Sequence, residues 1–272
     1  MYRQKGLLFQ IVLLGVCGAA AGAPYFEMLH SIPVPGTGWD IAYDGSELWC
    51  TVPGPSGATR YELDPVTGAI VSSFGVGMHN HLGLTYDGSV WWNTDYEYLF
   101  GNSSPGSPYD RFPDYLERRD ASGTRLSEVL APYNPDAIIH GLAWDGSALW
   151  LVDSKHLEIL QVDPVTIGVL SSFPSASASP DGIAYDGSYL WVADNGDDLL
   201  YKYTTDGTLV AAMTSPATDP YGVTWDGSAL WVLDRGTDRI YRLREVVPEP
   251  TTLALLGAGI AAVARRRRRR CA

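Results

Sequence analysis

Disulfide-forming cysteine is almost missing from this chain. Its 272 residues hold three cysteines. Cys17 and Cys271 lie in terminal segments that read as removable, so Cys50 stands alone and no intrachain disulfide is expected. Stability must then come from a packed core. Charge is sparse as well, at 18% of residues. Setting aside Arg3, Lys5 and the six arginines at the C-terminus leaves 11 basic against 31 acidic residues, a formal charge of −20. That balance disfavours nucleic acid and anionic lipid as partners and suits cations or neutral glycans. Also lacking are a nucleophile elbow, a His-Glu-x-x-His helix, a Gly-rich phosphate loop and a paired-cysteine motif, so no enzyme class has a positive signature.

What the chain has instead is repetition. An aromatic-Asp-Gly-Ser phrase followed by an apolar residue and Trp occurs five times. It runs from Tyr43 to Trp49, Tyr86 to Trp91 (one residue short), Trp144 to Trp150, Tyr185 to Trp191 and Trp225 to Trp231. The aspartates are 43, 58, 41 and 40 residues apart, the period of a repeat array rather than of two unrelated domains. The fourth copy shows the unit. Gly182 to Tyr185 reads as a short strand, Asp186-Gly187-Ser188 as a tight turn, and Tyr189 to Ala193 as the returning strand. Leu199 to Tyr203 and Thr208 to Met213 supply two more strands. Four antiparallel strands are the content of one propeller blade.

The expected fold is therefore all-β, a five-bladed β-propeller of four-stranded antiparallel blades. The fifth copy stops after its third strand, Arg239 to Leu243, while Tyr25 to His30 precedes the first copy where a fourth strand belongs. An N-terminal strand closing the last blade would remove the open edges of the array. The second copy carries an insertion at about 95–113, rich in Gly, Ser, Pro and Tyr, of a length that is functional or disordered in compact domains.

Both ends read as targeting segments. Residues 1–23 combine Arg3 and Lys5, an apolar run from Gly6 to Val16 and Ala21-Gly22-Ala23, the pattern of a secretory signal peptide cut after Ala23 or Ala21. The propeller domain is then 24–246. Residues 247–272 hold Pro248-Glu249-Pro250, an apolar segment from Thr251 to Ala264 and Arg265 to Arg270. Fourteen residues of helix reach about 21 Å, short of the roughly 30 Å hydrocarbon core, which suits a transient membrane anchor. The arginines would stay cytoplasmic, leaving the domain across the membrane.

This end resembles the PEP-CTERM sorting signal, in which motif, short hydrophobic segment and Arg-rich terminus follow in that order. The resemblance implies that an exosortase recognises and cuts the tail, and that the protein is exported to the cell surface, outer envelope or exopolysaccharide matrix of a Gram-negative, biofilm-forming cell. At the level of its repeats the chain also resembles NHL-type and related secreted propellers. Units such as Gly141 to Gly146 with Leu149-Trp150 and Asp163 to Thr166 are similar to those of propeller glutaminyl cyclases. Trp39, Leu82 and His140, which open first strands, offer no counterpart of a cyclase's acidic catalytic residue.

Strand order places the Asp-Gly-Ser turns on one face of the disc, and the reading assigns their aspartates to turns and tryptophans 49, 91, 150, 191 and 231 to packing between blades. The opposite face is where the copies diverge, as an asymmetric site on a symmetric scaffold requires. Trp39, Leu82, His140, Asp181 and Tyr221 open the first strands there, with His79 and His81 nearby. Second strands end at Val52, Thr94, Asp153, Asp194 and Asp234. The expected binding set is Trp39, His81, His140, Asp181, Tyr221, Asp153, Asp194 and Asp234. The expectation is a non-enzymatic propeller binding a matrix glycan or protein. The alternative is an extracellular lyase, hydrolase or glutaminyl-cyclase-like enzyme using His79, His81, His140 and Asp181. No resident cofactor is indicated; a divalent cation is the one these residue types admit.

Overall fold

Each Asp-Gly-Ser turn is held by its own aspartate. Asp44 Oδ1 accepts from the Ser46 and Glu47 backbone N–H groups, each at 2.9 Å, and Oδ2 accepts from the Trp49 indole N–H at 2.7 Å. Glycine follows the aspartate because the turn needs a positive φ, 106° at Gly45. The indole bond recurs from Trp92 to Asp87, Trp150 to Asp145, Trp191 to Asp186 and Trp231 to Asp226, at 2.7–2.8 Å. One carboxylate thus closes the turn and fixes a buried aromatic five residues on.

This pairing corrects the reading of the second copy. Trp92, not Trp91, is its repeat tryptophan, and Val90 is the variable residue, so nothing is missing there. Trp91 instead lies against the Trp49 ring, 5.2 Å between centroids. Trp92→Phe should lower unfolding stability by about 1–3 kcal/mol by removing the indole donor from Asp87 Oδ2, while Ser89 and Val90 still hold Oδ1. Trp91→Phe keeps that bond and should cost less. A larger urea-unfolding loss for Trp91→Phe would contradict the corrected register.

The structure is a computed structural model, and it describes residues 23–55, 57–77, 82–95, 115–131 and 137–248. Residues Tyr25–Glu245 form one compact unit of five four-stranded antiparallel sheets. β1 (Tyr25–Pro33) comes first in the chain. Blade one is β2 (Asp40–Tyr43), β3 (Leu48–Val52), β4 (Ala58–Leu63) and β5 (Ile70–Gly77). Blade two is β6 (Leu84–Tyr86), β7 (Trp91–Asp95), β8 (Tyr115–Arg119) and β9 (Arg125–Leu130). Blade three is β10 (Ile139–Trp144), β11 (Leu149–Asp153), β12 (Glu158–Val162) and β13 (Val169–Pro174). Blade four is β14 (Pro180–Tyr185), β15 (Tyr189–Asp194), β16 (Leu199–Thr204) and β17 (Leu209–Thr214).

Blade five is β18 (Pro220–Trp225), β19 (Leu230–Asp234) and β20 (Arg239–Val246), completed on its outer side by β1. The expected closure by the N-terminal strand is present, fastened further where Arg239 donates to Ser31 Oγ at 2.8 Å and His30 Nε2 meets the Val66 carbonyl at 2.8 Å. β2, β6, β10, β14 and β18 are the innermost strands and ring the axis. They approach so closely that glycine is required: a Cβ on Gly141 would lie 2.4 Å from the Asp181 carbonyl oxygen, and one on Gly182 2.3 Å from that of Tyr221. The corresponding residues of blades two and five are Gly83 and Gly222, but β2 has Asp40.

The core is the set of seams between neighbouring blades. Four seams are apolar and built alike, for example Val152, Ile159, Ile183, Leu190 and Val192 between blades three and four. Cross-strand rows face each seam: Gly141, Val152 and Ile159 in blade three, and in blade five Leu233 and Ile240. In blade one the equivalent row is Asp40, Thr51 and Arg60, each buried. Blades one and two accordingly share the smallest apolar cluster, Ala42, Trp49, Leu84 and Trp91. Arg60 reaches Asn93 Oδ1 at 3.5 Å across this seam, and Asn93 donates to Glu117 at 2.8 Å. Burial lowers the Arg60 pKa to about 9, because the charged form is the one desolvation penalises.

Candidate functional site

The first strands deliver their opening side chains to the axis on the face away from the Asp-Gly-Ser turns. His140 from β10, Asp181 from β14 and Tyr221 from β18 meet there. His140 Nδ1 stands 2.7 Å from Asp181 Oδ1, and the Tyr221 hydroxyl lies 3.4 Å from the same nitrogen. An imidazole whose Nδ1 faces a carboxylate donates that proton to it and presents Nε2 as an acceptor. The His140 side chain is 21% exposed and Asp181 3%, so the histidine is the open member of the pair. Asp181 Oδ2 is buried and accepts no well-formed hydrogen bond from the described residues. Burial raises the Asp181 pKa; the His140 bond, with smaller help from Arg235 and the Asn195 backbone, only partly offsets this.

Two further groups surround the pair. Arg235 lies over the Tyr221 ring, 3.7 Å from its centroid, and is held by Asp219 at 3.3 Å. Burial, then the charge of Asp181, pushes the Tyr221 phenol upward, so it stays a neutral hydroxyl. The second group, Asp40, was not among the expected site residues. Its Oδ1 accepts from its neighbour Ile41 N–H at 2.8 Å and its Oδ2 from the Leu84 N–H of the next blade at 2.7 Å. Burial raises its pKa well above the usual carboxylate range, two backbone N–H groups and Arg60 oppose this, and Asp181 adds to it. The signal that finds Asp40 is positional: glycine stands there in the other four blades.

The other expected site residues separate into groups. Trp39 is half-buried and packs against the cluster that contains Tyr221, at the edge of the axial group. Asp153, Asp194 and Asp234 are fully buried and close their own loops rather than pointing at a ligand. Asp153 accepts from the Lys155 and His156 N–H groups at 3.0 and 3.1 Å and pairs with His156 Nδ1 at 2.7 Å. Asp194 accepts from the Gly196 and Asp197 N–H groups, and Asp234 from those of Thr237 and Asp219, at 2.7–2.8 Å. This removes all three from the expected binding ring, because every carboxylate is already committed to backbone donors that burial would otherwise leave unpaired. His79, His81, the insertion beyond Asp95, the motif residues Glu249 and Pro250, and the segments 1–22 and 251–272 lie outside the described residues. Among the described residues no group of three or more His, Cys, Asp or Glu side chains is placed to hold a metal ion. No helix among them is long and apolar enough to cross a membrane.

Two cavities lie away from this group. About 380 Å³ lies on the turn face between blades five and one, lined by His30, Tyr43, Pro65, Val66, Asp226, Trp231 and Arg242. Its one carboxylate, Asp226, is engaged by Trp231 and Arg242 at 2.8 Å, so size there comes without free chemistry. On the axis below the glycines, a cavity of about 120 Å³ is lined by Tyr43, Tyr86, Trp144, Tyr185 and Trp225, the aromatics that open the repeated turns.

The five four-stranded sheets define the class, a five-bladed β-propeller. The chain is similar to the glutaminyl cyclase of Myxococcus xanthus, with 10% identity, a TM-score of 0.65, and coverage of 83% of this chain and 98% of that one. It is also similar to the PQQ-bound aldose sugar dehydrogenase of Streptomyces coelicolor, with 15% identity, a TM-score of 0.50, and coverage of 84% and 100%. Likeness at such identities is one of fold. No curated protein sequence matches the chain. The C-terminus is more particular: residues 246–269 carry the PEP-CTERM protein-sorting motif, which implies processing by an exosortase and export to the cell surface or envelope.

Proposed function

We propose that this is an exported propeller that binds a glycan of the outer envelope or exopolysaccharide matrix through the axial His140–Asp181–Tyr221 group of its variable face. The observation that carries the reading is the convergence of His140, Asp181 and Tyr221, from three blades, on one half-open position of the variable face. A signal peptide at 1–23 and a short anchor at 251–264 fit delivery across the inner membrane before sorting.

Calorimetry of the purified full chain with neutral, acidic and amino-bearing polysaccharides tests the reading. Binding to one class that His140→Ala weakens at least about tenfold, or about 1.4 kcal/mol, is the expected result. Binding that is indifferent to His140 would move the site elsewhere.

The His140–Asp181 pair also favours a second reading, acid/base catalysis with Nε2 as the proton-transfer atom. It predicts chain cleavage or rearrangement of a bound glycan or peptide that disappears in His140→Gln. Unchanged mass of every bound ligand would exclude it.

A further inference from the structure

We propose that the turn-face cavity between blades five and one is a second binding site, for a small uncharged phenol. It is separate from the axial group and takes a different class of ligand.

The strand that closes the ring explains why a ring-sized space lies at this seam. In blades one and three the fourth strand carries the same run, Ser72-Ser73-Phe74 in β5 and Ser171-Ser172-Phe173 in β13. Each phenyl lies beside its own blade's repeat tryptophan, Phe74 6.0 Å from Trp49 and Phe173 6.2 Å from Trp150 between centroids. Each also abuts a turn glycine of the next blade: a Cβ on Gly123 would lie 2.3 Å from the Phe74 ring, and one on Gly207 2.6 Å from that of Phe173. Blade five takes its fourth strand from the N-terminus, outside the repeat. The residue there that meets the matching glycine, Gly68 of blade one, is Ile32, at 2.9 Å. Isoleucine has no ring, and no other ring pairs with Trp231 among the described residues. About 380 Å³ lies open at this seam, with Trp231 in its lining. An aromatic ring is what the same fold places beside the tryptophan in blades one and three.

The walls decide what kind of ring. Tyr43 and Pro65 are half-buried and Val66 is exposed, so the accessible surface is mainly apolar. These walls are already fixed, because Asp64 accepts from the Val66 N–H at 2.9 Å and His30 Nε2 meets the Val66 carbonyl at 2.8 Å. Little ordering is left to offset binding. The volume falls in the range of about 300–1,000 Å³ usual for small-molecule sites. Arg242 supplies the polar contact: its Nε and Nη2 donate to Asp226 and Ser228 at 2.8 Å, and Nη1 donates to no described residue. One donor group is thus left for a ligand oxygen, while the guanidinium charge is met by Asp226. With a formal charge of −20 on the chain between its basic ends, an acid is disfavoured here and a neutral hydroxyl fits. An aromatic ring also gains from the guanidinium and from the Tyr43 ring, which a saturated ring of the same outline does not.

The test is titration of the full chain, followed by calorimetry and by the NMR signals of Tyr43 and Trp231, with p-cresol, 4-methylcyclohexanol and 4-methylbenzoate. The first and second differ in the ring and the first and third in charge. The expected result is that p-cresol binds at least about fivefold tighter than either and shifts both sets of signals. Val66→Asp, an exposed change at the cavity, should weaken p-cresol by at least about fivefold, since it exchanges an apolar wall for a hydrated charge. Ile32→Phe, which installs the residue of blades one and three, should weaken it as well. Ile32 is buried, so Val66→Asp carries the test should the phenylalanine impair folding. Equal binding of 4-methylcyclohexanol would overturn the aromatic assignment, and preference for 4-methylbenzoate would overturn the neutral one. Binding that Val66→Asp leaves unchanged, or binding of none of the three, would remove the site. Each of these outcomes leaves the glycan reading as it stands, because His140 lies outside this cavity.

Discussion

Gly182→Ala is expected to cost about 3 kcal/mol or more and to leave much of the protein unfolded at ordinary temperature. The added Cβ would sit 2.3 Å from the Tyr221 carbonyl oxygen and 2.8 Å from the Val223 nitrogen. Both are backbone atoms of the neighbouring inner strand, so no side chain can rotate away and relief requires spreading the ring of blades. Spreading one contact strains the others, because β14 lies between β10 and β18 in a closed circle. Gly187→Ala is the matched control. Its φ is +95° but no atom lies within 4 Å of the new Cβ, so only conformational strain of about 1–2 kcal/mol applies. Urea unfolding of the two variants checks the difference. Equal losses would show that the axis is looser than these contacts require.

Changing Pro248-Glu249-Pro250 to alanine is expected to abolish C-terminal processing. On the proposed reading, the short apolar segment that follows would lie in the bilayer with the six arginines on the cytoplasmic side. On that proposal a tail that is not removed would keep the propeller at the membrane. Fractionation together with the mass of the C-terminus should show a retained precursor of full tail length. Normal release would mean that the sorting motif matched at 246–269 acts through other residues.

The repeat phrase makes most of the fold legible, because turn and tryptophan are tied by one carboxylate and so must recur together. Its period counts the blades, and the missing fourth strand of the last copy points to Tyr25. The second copy misleads by one residue, since two adjacent tryptophans look alike until Asp87 selects Trp92. At the site, His140, Asp181 and Tyr221 are legible as unlike residues at like positions. Asp153, Asp194 and Asp234 are misleading: a carboxylate that closes a loop and one that waits for a ligand have the same letter, and only the backbone N–H groups around them tell the two apart.

Asp40 and Arg60 escape the sequence for a different physical reason. In an alternating strand Arg60 reads as an outward polar residue, and Asp40 as the polar start of β2. Only the pairing of Asp40 with Thr51 and of Thr51 with Arg60 shows that all three share a row facing the next blade. The rule broken there is the apolar seam, and it is broken at the innermost strand. A charged row at one seam of five is the kind of local inconsistency that a symmetric fold carries where it does something asymmetric.

The most direct measurement sets the two faces against each other. The full chain, His140→Ala and Val66→Asp are titrated calorimetrically with the same panel of neutral, acidic and amino-bearing oligosaccharides. Val66 is 72% exposed and lines the large turn-face cavity, so its change alters that cavity without touching the core. The account predicts that His140→Ala loses the ligand and Val66→Asp binds as the unaltered chain does. Loss in Val66→Asp with full binding in His140→Ala would place the site among the repeated turns and contradict it.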